Sequence, residues 1–84
     1  MELPKLELIH WIDVQNSSGW HVRAEIIKEL ETPTVYTCGF IEKENNENIW
    51  VIQSLADEDY TGAIVIPKAL IRKRTLLTLG IEVS

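Results

Sequence analysis

The chain has one cysteine, Cys38, among its 84 residues. A single thiol can form neither an intramolecular disulfide nor a zinc cluster of thiolates, so we expect a protein of a reducing compartment, with the cytoplasm as the default. Long apolar runs are also missing, and no basic segment followed by an apolar one stands at the N-terminus. We therefore expect neither a signal peptide nor a membrane-spanning helix.

Positive charge is scarce. Eight Lys and Arg residues stand against thirteen Asp and Glu residues, which gives a net charge of −5 at pH 7. This balance argues against the broad basic footprint of a duplex-DNA binder. Half of the basic residues nevertheless lie within seven positions, namely Lys68, Arg72, Lys73 and Arg74. This basic segment is the first candidate for contact with an anionic ligand.

The residues needed for catalysis are few. The chain has two His residues, no Gly-x-Ser-x-Gly motif and no glycine-rich phosphate loop. Cys38 has no basic neighbour in sequence that would stabilise a thiolate, so we predict a small buried residue there. The carboxylates of residues 57–59 suit a hard cation, but the twelve-residue ligand spacing of a calcium loop is missing. We predict no enzyme, no metal and no cofactor.

The first strand is predicted from a period of two that begins at Leu6. One side of this strand holds Leu6, Leu8, Ile12 and Val14, and the other holds Glu7, Ile9, Trp11 and Asp13. We take the second side as the outer one. Because Ile9 and Trp11 there are apolar, they need cover, and Trp11 is a candidate for a contact between subunits.

A short helix is predicted over residues 21–31, between the first and second strands. Helix formers dominate this segment, and Pro33 ends it. The alternation of Val22, Ala24 and Ile26 leaves a strand as the alternative.

The strongest local prediction is a hairpin from Val35 to Leu55, with an Asn-rich turn near Asn45 and Asn46. A polar loop follows, then a β-branched run over residues 63–66 and, after a corner over residues 67–70, a last strand over residues 71–79. Five short, strongly bent antiparallel strands predict a mainly β protein, an SH3- or Sm-like barrel in a single domain over residues 1–84.

Two segments resemble the paired motifs of the Sm-like family, which includes the bacterial RNA chaperone Hfq. The first has Gly39 in mid-strand, Ile41, an acidic or amide residue at 44 or 45, and Asn48 at the turn. The second, Ile-Pro-Lys-Ala-Leu-Ile-Arg over residues 66–72, is similar to the Tyr-Lys-His-Ala-Ile-Ser of Hfq-type proteins. Lys68 and Ile71 match there. Pro67 and Ala69 replace the Tyr and His with which the family holds a base, so the resemblance does not extend to uridine recognition.

The layout over residues 9–77 also resembles that of small phage-encoded Sm-like proteins. The shared features are W-x-D at 11–13, Gly19-Trp20, a mid-chain glycine and the Ile-Pro-Lys corner. This resemblance implies a viral or prophage origin. A phage-encoded protein would be located in the cytoplasm of the host cell.

The resemblance to Sm-like proteins implies a cyclic homo-oligomer of five to seven subunits. In such folds the fourth and fifth strands of each subunit are open edges. Pairing the fourth strand of one copy with the fifth strand of the next removes both edges. The candidate interface residues are Ile64, Val65, Ile66, Ile71, Lys73, Thr75, Leu77 and Trp11.

In such a ring the basic segment of each copy, which we also call the basic corner, would contribute to a positive rim around the pore. This rim predicts contact with single-stranded RNA. The candidate nucleic-acid-binding residues are Lys68, Arg72, Arg74, Asn48 and Tyr36. Two alternatives stay open. In the first, the basic groups only pair with Asp57, Glu58 and Asp59 or with a neighbour's carboxylates. In the second, the chain is a phage structural or host-interaction module that binds a protein without nucleic acid.

Overall fold

The computed structural model describes residues 2–14, 19–26, 32–78 and 80–83. These residues contain seven strands: β1 Leu6–Ile12, β2 Thr34–Glu44, β3 Asn48–Ile52, β4 Ser54–Leu55, β5 Tyr60–Thr61, β6 Ile64–Pro67 and β7 Ile71–Leu77. Two 3-10 turns, Arg23–Glu25 and Lys68–Leu70, precede β2 and separate β6 from β7.

Five of the strands form one antiparallel sheet with the order β6-β3-β2-β1-β7, and β4 and β5 form a separate two-stranded sheet. The two edge strands of the large sheet, β6 and β7, are joined by a turn of only three residues. Such a turn advances the chain by about 6 Å, whereas the edges of a flat five-stranded sheet lie about 19 Å apart. The sheet is therefore strongly curled.

The core lies on the concave side of this curl. The buried cluster consists of Ile9, Trp11, Ile49, Val51 and Ile66. Ile9 of β1 and Ile66 of β6 share this cluster although two strands separate β1 from β6 in the sheet. The prediction for β1 placed the wrong side inward, because the sheet itself covers Ile9 and Trp11. The indole Nε1 of Trp11 donates a hydrogen bond to Thr37 Oγ1 at 3.0 Å. The N–H group of the buried tryptophan thus has its hydrogen-bond partner within the chain.

The predicted hairpin is confirmed as β2 and β3. The side-chain Oδ1 of Asn45 accepts hydrogen bonds from the backbone N–H groups of Glu47 and Asn48, at 2.9 and 2.8 Å, which closes the turn. This is the local behaviour for which Asn is favoured in turns.

Three parts of the predicted fold need correction. The large sheet is open, since β6 and β7 are not paired with each other, so the closed barrel is wrong for the described residues. The predicted hairpin ran to Leu55, but β3 ends at Ile52 and Ser54–Leu55 forms β4, which pairs with β5 in the predicted polar loop, a pair that the sequence analysis missed. The helix predicted over residues 21–31 is not shown. Residues 27–31 lie outside the described residues, and the described part of that segment contains one 3-10 turn.

Gly39 allows β2 and β3 to pack closely. A β-carbon at this position would lie 2.6 Å from Val51 Cγ1 and 2.7 Å from the backbone oxygen of Ile52. The second contact is with backbone, which cannot rotate away as a side chain can.

We predict that Gly39→Ala lowers the free energy of unfolding by about 1–3 kcal/mol, the usual cost of forcing an extra carbon into a packed site. Urea denaturation at fixed protein concentration measures this loss. Gly80→Ala is the matched control, because no atom of the described residues beyond its chain neighbours lies within 4 Å of the β-carbon that it adds. Equal stability of the two variants would contradict the close approach.

Candidate functional site

The basic corner predicted from the sequence contains an ion-pair network within one chain. We call Glu7, Glu44, Lys68 and Arg74 the corner network. The guanidinium of Arg74 contacts both carboxylates: its Nε and Nη2 lie 2.7 and 2.9 Å from Glu7, and its Nη1 and Nη2 lie 2.9 Å from Glu44. The ammonium of Lys68 lies 2.6 Å from Glu44 Oε2. These are two bidentate pairs and one simple pair.

The curl of the sheet explains why these four residues meet. Glu7 lies on the concave side of β1 and is only 6% exposed, so its carboxylate requires a partner. Arg74 on the neighbouring strand β7 provides that partner. Glu44 lies at the far end of β2, beyond a register shift between Ile41 and Lys43, and reaches the same guanidinium. The network thus connects the corner and one edge strand to the centre of the sheet.

Hydrogen bonds stabilise the charged forms of Glu44 and Arg74. Those from Arg74 and then Lys68 lower the pKa of Glu44 from 4.5 to about 2. Hydrogen bonds to Glu44 and then Glu7 raise the pKa of Arg74 above its usual value. Both partners therefore stay charged at any physiological pH.

The ion pairs of the corner network decide which basic residues remain available to an anionic ligand. Lys68 and Arg74 are neutralised by Glu44 and Glu7, not by Asp57, Glu58 and Asp59 as one alternative proposed. Arg72 is exposed, and its Nη1 donates to the backbone oxygen of Ala69 at 3.1 Å. Lys73 is exposed and forms no ion pair with any residue in the described ranges.

The predicted nucleic-acid-binding residues do not form one site. Asn48 lies beside the corner, opposite Pro67 in the β3 and β6 pair. Tyr36 is eight residues from Glu44 along β2, about 26 Å in an extended strand. The ring of Tyr36 instead stacks on His10, with centroids 5.0 Å apart and planes at 25°.

The sequence analysis named Tyr36 and Lys73 separately, but it missed His10 and the grouping of the three residues. His10 lies directly opposite Tyr36 on one side and opposite Lys73 on the other, so the three side chains form a row across β2, β1 and β7. The alternation of β1 and β2 was visible in the sequence, but the register between the strands was not. Cys38, predicted to be buried, is exposed on the same face two residues further along β2.

The proposed interface residues divide into three groups. Val65, which is 48% exposed, and Lys73 and Thr75 lie at the surface of the edge strands. Ile64, Ile71 and Leu77 are half-buried on the same strands. Ile66 and Trp11 are buried in the core of one chain and offer little side-chain surface to a second copy.

The acidic loop over residues 57–59 lines a groove of about 250 Å³. Its carboxylates are Glu2, Glu42, Asp57, Glu58 and Asp59, and its apolar lining includes Pro4, Ile52 and Leu55. In the part of the chain that the structure describes, no group of three or more His, Cys, Asp or Glu residues is placed to hold a metal ion. None of the helical segments described is long and apolar enough to cross a membrane.

No protein-family model, curated protein or solved structure matches the chain.

We predict that Arg74→Met destabilises the chain by roughly 3 kcal/mol, since it leaves the buried carboxylate of Glu7 without a partner. The double variant Glu7→Leu/Arg74→Met removes both charges and should recover most of this loss. Thermal or urea unfolding of both variants measures the difference. If the double variant is no more stable than Arg74→Met, the cost does not come from a stranded buried charge.

A second prediction concerns pH. Because folding lowers the pKa of Glu44, its charged form contributes stability that is present above about pH 4.5 and is lost as the pH falls towards 2. Glu44→Gln should therefore flatten the acid limb of a plot of unfolding free energy against pH. Glu58→Gln, in the exposed loop, should keep the wild-type profile. An acid limb that is unchanged in Glu44→Gln would contradict the network.

Proposed function

We propose that the chain is a non-enzymatic, Sm-like protein that assembles edge to edge into a ring of five to seven copies and binds single-stranded RNA there. We place it in the cytoplasm, that of a host cell for a phage-encoded protein. The observation that carries the proposal is the pair of open edges on the large sheet. The resemblance to Sm-like proteins implies open edges at the last two strands, and β6 and β7 are the edge strands here.

The open edges support assembly for a physical reason. Within the described residues, β6 pairs only with β3 and β7 only with β1, so one side of each edge strand keeps unpaired backbone N–H and C=O groups. Edges of this kind readily pair with another chain. Each copy offers one edge of each type, so pairing β6 of one copy with β7 of the next is a head-to-tail contact. Such a contact closes into a ring when its rotation permits.

The RNA part of the proposal rests on basic groups that the ring would repeat. Symmetry places each exposed cation once per subunit, which concentrates positive potential. Since Lys68 and Arg74 are paired with carboxylates, Arg72 and Lys73 are the residues that support a phosphate contact best.

A second function is favoured by the acidic groove. Its carboxylates form no ion pair with any described residue, and the chain carries a net charge of −5. A basic protein partner complements such a surface. The alternative is therefore a phage structural or host-interaction module without nucleic acid. A flat RNA titration at low salt would favour it.

We predict that Val65→Lys on β6 and Thr75→Lys on β7 each lower the mass of the assembly, because lysine on an edge strand opposes pairing. Mixing the two variants should give a dimer of twice the 9.6 kDa subunit mass, since one intact β6 meets one intact β7 and the remaining edges are both blocked. Size-exclusion chromatography with light scattering measures these masses.

Thr61→Lys is the matched control. It adds the same charge on β5, outside the large sheet, and should keep the wild-type mass. A wild-type chain that stays monomeric at every concentration, or variants whose mass equals that of wild type, would contradict assembly through these edges.

A further inference from the structure

The outward face of β7, β1 and β2 has a distinct composition. Burial alternates along β1, with Glu7, Ile9 and Trp11 inward, so the intervening residues point outward together with the residues directly opposite them. We call this the outward face. Its members are Leu6, Leu8, His10 and Ile12 of β1, Thr34, Tyr36, Cys38 and Phe40 of β2, and Lys73, Thr75 and Leu77 of β7.

The outward face contains no carboxylate, although the chain has thirteen. Its only basic groups are Lys73 and the imidazole of His10. At its centre Tyr36, which is 65% exposed, stacks on His10, and Lys73 flanks His10 on the edge strand. The face therefore combines a flat aromatic surface, an exposed cation and partly exposed aliphatic side chains. This combination suits a ligand that is anionic and carries flat rings.

We propose that the outward face binds single-stranded RNA, with a base stacked on the Tyr36 and His10 pair and a backbone phosphate at Lys73. This inference rests on the proposed function and names the surface that carries it. Bases stack on aromatic side chains only when they are not enclosed in a duplex, so the ligand is single-stranded. Neighbouring strands lie about 4.8 Å apart, which places the ammonium of Lys73 within reach of a nucleotide over His10.

The ion pairs of the corner favour the outward face over the corner as the main contact. A phosphate at Lys68 or Arg74 must displace Glu44 or Glu7 from a short charge-assisted hydrogen bond. A phosphate at Lys73 displaces no carboxylate of the described residues. The partly exposed Leu8 and Phe40 extend the surface for further bases without selecting among them.

The test is a fluorescence anisotropy titration of a short labelled RNA, as oligo(U) and as oligo(A), against the full chain at low salt. Tyr36→Ala and Lys73→Glu should each weaken binding about tenfold, whereas Tyr36→Phe keeps the ring and should bind as wild type. Lys5→Glu is the charge-matched control, since it lies before β1 and should change affinity less than about twofold, a general electrostatic effect. A duplex of the same sequence should bind more weakly than the single strand.

Circular dichroism and light scattering on each variant separate loss of fold or assembly from loss of the site. If wild type binds RNA and only Lys68→Glu or Arg72→Glu weakens it, the outward face is wrong and the proposed function stands. Equal weakening by Lys5→Glu and Lys73→Glu also overturns the site, because it shows a general charge effect. A changed assembly mass in Tyr36→Ala would identify the face as a contact between copies and overturn the inference. If wild type binds no RNA, the RNA part of the proposed function fails as well.

Discussion

The structure depends on one constraint of the backbone, which is that the two edge strands of the sheet are neighbours in sequence. A three-residue turn joins β6 to β7, so the sheet must curl until its edges approach each other. The curl creates the concave side that buries Ile9, Ile49 and Ile66. It does not pair the edges with each other, so among the residues that the structure describes each edge strand keeps a row of unpaired backbone groups. The core and the open edges thus have the same origin.

The charges of the corner network link parts of the fold, and the same ion pairs make its cations less accessible to an anionic ligand. Glu7 and Glu44 hold Arg74 and Lys68 and so connect the corner, an edge strand and the far end of β2. A buried ion pair of this kind is weak evidence for added stability, but loss of one partner is costly. Because both cations are engaged, the corner is less able to bind an anion than its sequence indicates. Lys73 and the aromatic pair beside it face no such competition from a carboxylate of the described residues.

Much of the fold could be predicted from the sequence because its signals are local. Alternation and turn residues predict the Asn45 turn, the strand β2, the start of β3 and the two strands around the Ile-Pro-Lys corner. The inward side of β1 could not be predicted, since both sets of alternating residues contain large apolar side chains. The β4 and β5 pair was missed because strands of only two residues give no period to detect.

The candidate site was harder to predict because it depends on contacts between distant residues. Glu7 and Arg74 are 67 positions apart, and only the register of β1 and β7 brings them together. Nothing near Lys68 or Arg74 in sequence distinguishes a cation that is paired from one that is free. The row of Tyr36, His10 and Lys73 likewise requires three strands in register. The central claim, that β6 and β7 pair between copies, is tested most directly by hydrogen–deuterium exchange of the segment over residues 63–78. We expect slower exchange there in wild type than in the double variant Val65→Lys/Thr75→Lys at the same concentration, and equal exchange in the two proteins would contradict the claim.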